Sequence, residues 1–150
     1  IRDDLVTGVQ TCALPISSDH QARAWARQAL AVCPKQCVAL TLRFVGRREG
    51  AALNWKWRGK QGPTNVLSFP AGEPRVPGPA LLGDIVLCAP VISREALQQG
   101  KSARAHWAHL IVHGILHLLG YDHQQPAAAR RMETLEKKLL AGMGIADPYQ

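Results

Sequence analysis

No apolar run in the 150-residue chain approaches the roughly 18 residues that a membrane-spanning helix needs. The nearest candidate, Ala103 to Leu119, carries four histidines and an arginine, so a soluble, cytoplasmic protein with no membrane partner is expected. The four cysteines, at positions 12, 33, 37 and 88, form no C-x-x-C pair, and Cys88 lies in an apolar run that reads as a buried strand. Reduced thiols in a cytosol fit that pattern better than a disulfide framework. Internal repeats and low-complexity segments are absent as well, and the length suits one domain able to bury a real core. Negative charge is scarce: 11 Asp and Glu stand against 18 Lys and Arg, a formal net charge of +7. A polyanion is the natural partner of such a surface, although charge alone is equally compatible with a merely soluble basic protein.

The first residues also lack the marks of a processed leader. Residues 1–16, IRDDLVTGVQTCALPI, contain no initiator methionine and no basic stretch followed by a sustained apolar one. They look like translated sequencing-adapter sequence. The expectation is a non-native segment over 1–16 and a single domain over 17–150.

Beyond that segment the apolar pattern alternates between helical and extended periods. Ser18 or Asp19 can cap a helix over about Gln21 to Val32, with Trp25, Ala29 and Val32 inward. Val38 to Val45 alternates, placing Val38, Leu40, Leu42 and Phe44 on one face of a strand. A short helix over Glu49 to Trp57 follows, then strands over Val66 to Phe69 and Leu82 to Cys88, separated by the Gly- and Pro-rich loop AGEPRVPGPA. Pro90 can start a helix that Gly100 ends, and another begins near Pro126 with Met132, Leu135 and Leu139 as its packing stripe. That last helix reads as structural cover. Strands interleaved with helices, then a run of helices, predict an α+β fold with a small mixed β-sheet.

The most informative run is HGILHLLGYDH, from His113 to His123. It ends a helix expected from a Ser102 cap to about Leu119 whose apolar residues surround it, so the helix belongs inside the protein. At about 3.6 residues per turn, His113 and His117 project from one face and can grip one ion. Gly120 can take the left-handed conformation that stops the helix and returns His123 toward the same point. Three neutral imidazoles with a fourth position open form the donor set of a hydrolytic zinc centre. The spacing H-x-x-x-H-x-x-G-x-x-H is that of the metzincin proteases, but their general-base glutamate directly follows the first histidine, and here that position is Gly114.

HWAHLIVHGILHLLGYDH, with PTNVLSFP from Pro63 to Pro70 and LLGDIVLCAPVI from Leu81 to Ile92, resembles the bacterial YbeY family from about Ala22 to Tyr149. The resemblance implies a zincin-like architecture and one Zn2+ per chain. It implies a single-strand-specific endoribonuclease of ribosomal RNA maturation, notably at the small-subunit 3′ end, that also acts in ribosome quality control. Single-stranded and ribosomal RNA are the implied partners, and small-subunit ribosomal proteins or assembly GTPases are admitted. Members usually open with a β-strand where residues 1–16 stand, and they tend to be acidic after the third histidine, where this chain reads QQPAAARR.

A second chemical element is LNWKWRGKQGPTNVLSFP, in which Arg58 stands with Lys56 and Lys60 before a glycine-containing turn. A guanidinium binds two phosphoryl oxygens in a planar fork, which suits the charge built up in phosphodiester cleavage. The resemblance maps the family's functional arginine onto Arg58 and its neighbouring lysine onto Lys60. His106 and His109 precede the ligands on the same helix; a structural role is expected for both, with His109 also within reach of His113. Asp84 falls inside an apolar strand, where a lone buried carboxylate is costly, so a partner is expected, such as a metal-ligand imidazole or a backbone turn. Asp122 is placed to orient the His123 loop, and Tyr121 to pack. Two alternatives remain open: a zinc hydrolase of a peptide or small amide, which Gly114 disfavours, and a non-catalytic zinc-containing ribosome-assembly factor.

Overall fold

The computed structural model describes residues 19–33, 38–72 and 80–150, so Ser18, the 1–16 segment and most of the AGEPRVPGPA loop lie outside the described residues. Helix α1 (Asp19–Leu30) buries Ala22, Trp25, Ala26, Ala29 and Leu30. It starts two residues earlier than expected. Asp19 falls in its first turn, where a carboxylate faces the positive end of the helix, and Val32 sits in the turn beyond its end, only partly buried.

Strand β1 (Val38–Val45) turns Leu40, Leu42 and Phe44 into the core, as its alternation predicts. Helix α2 (Arg47–Arg58) ends where Gly59 takes φ 64°, its N–H directed to the carbonyls of Asn54 and Trp55. Strands β2 (Val66–Pro70) and β3 (Ala80–Cys88) complete a mixed sheet in the order β1-β3-β2, with β1 parallel and β2 antiparallel to β3. Among the described residues the architecture is this three-stranded sheet and five helices, the α+β class expected.

Asp84 departs from expectation. It is exposed, while Gly83, Ile85 and Leu87 face inward. The opposite face of the sheet is covered by a small apolar cluster of Val45, Leu67, Val86, Cys88 and Val91, which begins one pleat past Asp84. The carboxylate therefore stays in water and needs no buried partner.

Helix α3 (Ala89–Gln98) carries Pro90 in its first turn and is followed by Gly100 at φ 64°. Helix α4 (Ala103–Leu118) opens on Ser102, whose Oγ accepts from the Ala105 N–H at 3.1 Å. It is the central element, meeting α1, α3, the sheet and the last helix, α5 (Pro126–Gly142). Trp107, Ile111, Ile115 and Leu116 are fully buried. Each such aliphatic side chain contributes about 1.5–3 kcal/mol of apolar burial. Gly114 lets α4 approach the sheet closely: a Cβ there would stand 3.0 Å from Ile85 Cγ2 and 3.2 Å from Ser68 Oγ. Ser68 Oγ donates to the Gly114 carbonyl at 3.2 Å, locking β2 against the helix. Among the described residues no helix is long and apolar enough to cross a membrane.

Candidate metal centre

His113 and His117 lie one turn apart at the end of α4, with ring centroids 4.5 Å apart and facing Nε2 atoms 3.0 Å apart. The helix then stops. Gly120 adopts φ 96°, and the Gly120 and Tyr121 N–H groups close back onto the carbonyls of His117 and Leu116, each at 3.0 Å. The returning chain is fixed by Asp122, whose Oδ1 accepts from the His123 N–H at 2.7 Å and the Gln124 N–H at 3.2 Å. This brings the His123 ring to 4.9 Å from His117 and 5.5 Å from His113. One ring nitrogen from each of the three histidines lies within 4.8 Å of the other two.

The outer ring nitrogens reveal what the inner ones are for. His117 Nδ1 stands 3.1 Å from the Tyr121 carbonyl, and His113 Nδ1 stands 2.5 Å from Glu136 Oε1. A carbonyl and a carboxylate only accept, so both Nδ1 atoms carry protons, and in the neutral rings both Nε2 atoms present lone pairs. Two such lone pairs converging at 3.0 Å repel unless a proton or a metal ion lies between them. The donor set thus fits a metal that accepts imidazole, such as zinc. The pKa of His117 is held below the usual histidine range, chiefly by burial and then by the neighbouring His113 and His123. Its ring is therefore neutral and free to coordinate at neutral pH.

Glu136 is the residue that sequence reasoning missed, and it corrects the reading of α5 as mere cover. It is fully buried, between Met132 and Leu140 at four-residue intervals on the helix's inner line. It accepts from His113 Nδ1 and from the Tyr149 hydroxyl, with His109 Nε2 at 3.5 Å. Burial alone would raise its pKa, but the hydrogen bonds from His109, His113 and Tyr149 outweigh this and bring it down to about 2. The Tyr149 hydroxyl is pushed up, by burial and then by its bond to Glu136. The signal was present in the sequence: a carboxylate in the apolar line of an amphipathic helix is costly unless it is paired.

His106 and His109 separate. His106 Nε2 lies 2.9 Å from Glu95 Oε2, and Glu95 also accepts from Asn65 Nδ2 at 3.1 Å, so this chain ties α3, α4 and the approach to β2 together. His109 instead supports Glu136 from behind the histidine cluster. Tyr121, expected to pack, contributes through its backbone carbonyl to His117.

The three histidines open onto a cleft of about 660 Å³ whose other wall is formed by Trp57, Arg58 and the segment from Thr64 to Pro70. Arg58 is the last residue of α2 and is exposed in that cleft. Buried Asn54 steadies the turn beyond it, donating from Nδ2 to the Gly62 carbonyl at 2.7 Å. Lys60 is exposed past the Gly59 turn and does not line the cleft. The structure therefore brings Arg58, but not Lys60, to the cleft that holds the histidines.

Comparison with known proteins agrees over most of the chain. The family model described as Endoribonuclease YbeY matches residues 11–144, reaching into the segment expected to be foreign. Relatives named Endoribonuclease YbeY include one from Nitrosococcus oceani, 47% identical over 147 residues, covering 95% of this chain and 92% of the relative. One from Methylococcus capsulatus is 51% identical over 140 residues, covering 93% and 90%. Among solved structures, TM1509 from Thermotoga maritima has the same fold at a TM-score of 0.60 and 19% identity, over 97% of this chain and 99% of that one.

Proposed function

The chain belongs to the YbeY endoribonuclease family, and from that premise we propose that it is a zinc-dependent, single-strand-specific endoribonuclease of ribosomal RNA. The observation that carries this reading is the convergence of ring nitrogens from His113, His117 and His123 in the cleft that also holds Arg58. His113, His117 and His123 would hold one zinc per chain. Bound there, zinc supplies a Lewis acid and a water acidified to near neutral pH.

The chain's own residues do the rest. Glu136 and the Tyr121 carbonyl hold the imidazoles in one tautomer and orientation, so the donors need no rearrangement to coordinate. Arg58 is the candidate catalytic cation: its fork can take two phosphoryl oxygens as negative charge develops on them. Lys60, outside the cleft, serves as a more distant backbone contact. The substrate we propose is single-stranded ribosomal RNA, notably the small-subunit 3′ end. The setting is the cytoplasm, in ribosome maturation and quality control, with small-subunit ribosomal proteins or assembly GTPases as protein partners. The working unit is the domain over residues 17–150.

The peptidase alternative meets a steric obstacle. A glutamate in place of Gly114 would bring its Cβ to 3.0 Å from Ile85 Cγ2 and 3.2 Å from Ser68 Oγ, so these neighbours would have to give by a few tenths of an ångström to admit that base. Metal-loaded protein incubated with single-stranded RNA, a ribosomal precursor and a peptide, with and without chelator, decides among the readings. Chelator-sensitive cleavage of the RNAs alone supports the endoribonuclease. Peptide cleavage would replace it with the hydrolase reading, and bound zinc with no cleavage would leave the assembly factor.

A further inference from the structure

Helix α2 is a surface helix with an unusual feature: it buries only Gly50 and Asn54 and leaves two tryptophans in water, Trp55 at 60% and Trp57 at 59% exposure. Residues two apart on a helix project from nearly opposite sides. Accordingly Trp57 lines the histidine cleft beside Arg58, whereas Trp55 does not. The Trp57 ring is steadied edge-on by Phe69, at 5.8 Å between centroids and 65° between planes. Lys56 Nζ stands over the ring, 5.0 Å from its centroid. Beyond its edge contact with Phe69 the indole is solvent-facing, with Lys56 and Arg58 as its chain neighbours.

We propose that Trp57 is a stacking platform for an unpaired base of the RNA strand whose phosphate is held at Arg58. This rests on the endoribonuclease reading above. A nucleic-acid strand alternates charged phosphate and flat base, and here a guanidinium and an indole follow one another at the cleft wall in the same alternation. A base within a duplex is already stacked on both faces and cannot use the platform, so a preference for single strands follows from Trp57 itself. The partner is a nucleobase of any identity, since stacking is tolerant of sequence.

The test compares wild type with Trp57→Ala, Trp57→Phe, Trp57→Leu and Trp55→Ala, using short single-stranded RNAs and matched RNAs carrying one abasic position beside the cleavage point. Trp57→Ala is expected to weaken binding of intact RNA roughly ten- to a hundredfold, the range typical of a lost base–aromatic stack. Trp57→Phe should keep most of the affinity, Trp57→Leu should behave like the alanine variant, and Trp55→Ala should match wild type. The salt dependence of binding should be unchanged in Trp57→Ala, because no phosphate contact is lost. Wild type should lose affinity for the abasic RNA, and Trp57→Ala should lose no more than it already has. Circular dichroism and zinc content establish that each variant is folded. Should Trp57→Ala not fold, the abasic comparison in wild type and Trp57→Leu decides the same question. Wild-type affinity in Trp57→Ala, full rescue by Trp57→Leu, or no abasic penalty in wild type would overturn the platform. Wild type that neither binds nor cleaves RNA would instead overturn the endoribonuclease reading on which the platform rests.

Discussion

The two walls of the cleft are built by opposite means. On the α4 side, His113 and His117 are pinned from behind by a fully buried carboxylate and a backbone carbonyl, and the His123 loop is closed by Asp122. On the α2 side, Trp57 and Arg58 are exposed, and only the turn beneath them is tied down, through Asn54. An ion needs donors held to fractions of an ångström, and the partners behind half-buried His113 and His117 and the turn that returns exposed His123 supply that rigidity. A polyanionic strand needs a charged and aromatic surface that can follow its backbone, and exposure supplies that. The contrast predicts that damage to the first wall is read in metal content and stability, and damage to the second in turnover and RNA affinity.

The largest effect expected is on the histidines. Replacing His113, His117 or His123 by alanine removes one of three protein donors, and each variant should lose stoichiometric zinc by metal analysis while remaining folded. Full occupancy in all three would dissolve the contrast at its rigid side. Next comes Arg58→Ala, which should keep its zinc and lose roughly two to three orders of magnitude in single-turnover cleavage rate. Arg58→Lys keeps the charge without the planar fork, so a lysine variant nearly as slow as the alanine one identifies bidentate binding, and strong rescue identifies charge alone.

Glu136 should show itself mainly in metal affinity and stability. Glu136→Gln is expected to weaken zinc binding about 10- to 100-fold by competition titration, as removal of a group that orients a metal ligand typically does. Glu136→Ala, which also leaves its buried donors without a partner, should cost roughly 3–5 kcal/mol in urea unfolding. The pH dependence has a definite sign. The folded pKa of about 2 lies below the ordinary 4.5, so the stabilisation from ionised Glu136 is fully present above pH 4.5 and is lost as pH falls toward 2. Acid unfolding of metal-free wild type should steepen in that window, and Glu136→Gln should flatten it. Smallest is Lys60→Ala, which lies outside the cleft: a few-fold loss of RNA affinity with the salt slope reduced by about one and cleavage of bound RNA unchanged.

The same contrast explains what was legible in the sequence. The histidine wall is mostly local: His113, His117, Gly120 and His123 fall within one helix end and its turn, where helical period and glycine conformation suffice. The bounds of α4 and β1 followed from capping and alternation for the same reason. Glu136 and Tyr149 reach that wall from α5 and the residues beyond it, and no periodicity in α4 points to them. The exposure of Asp84 depends on where the second apolar cluster ends, a matter of packing between α2, α3 and the sheet that strand alternation does not show. The absence of a glutamate at Gly114 is plain in the sequence, but the close approach of Ile85 and Ser68 to that position is visible only in the fold. On the exposed wall, family resemblance points to Arg58, whereas nothing in the chain distinguishes the exposed Trp57 from a buried tryptophan.

One metal at His113, His117 and His123 and the Arg58 guanidinium would act together on the same RNA phosphate. This joint action is tested most directly by single-turnover cleavage of single-stranded RNA as metal-free protein is titrated with zinc, in wild type and Arg58→Ala. Wild-type cleavage is expected to rise to a plateau at one zinc per chain, and Arg58→Ala to bind the same one equivalent with a plateau rate roughly two to three orders of magnitude lower. Cleavage by metal-free wild type at the plateau rate, or an Arg58→Ala plateau equal to wild type, would contradict it.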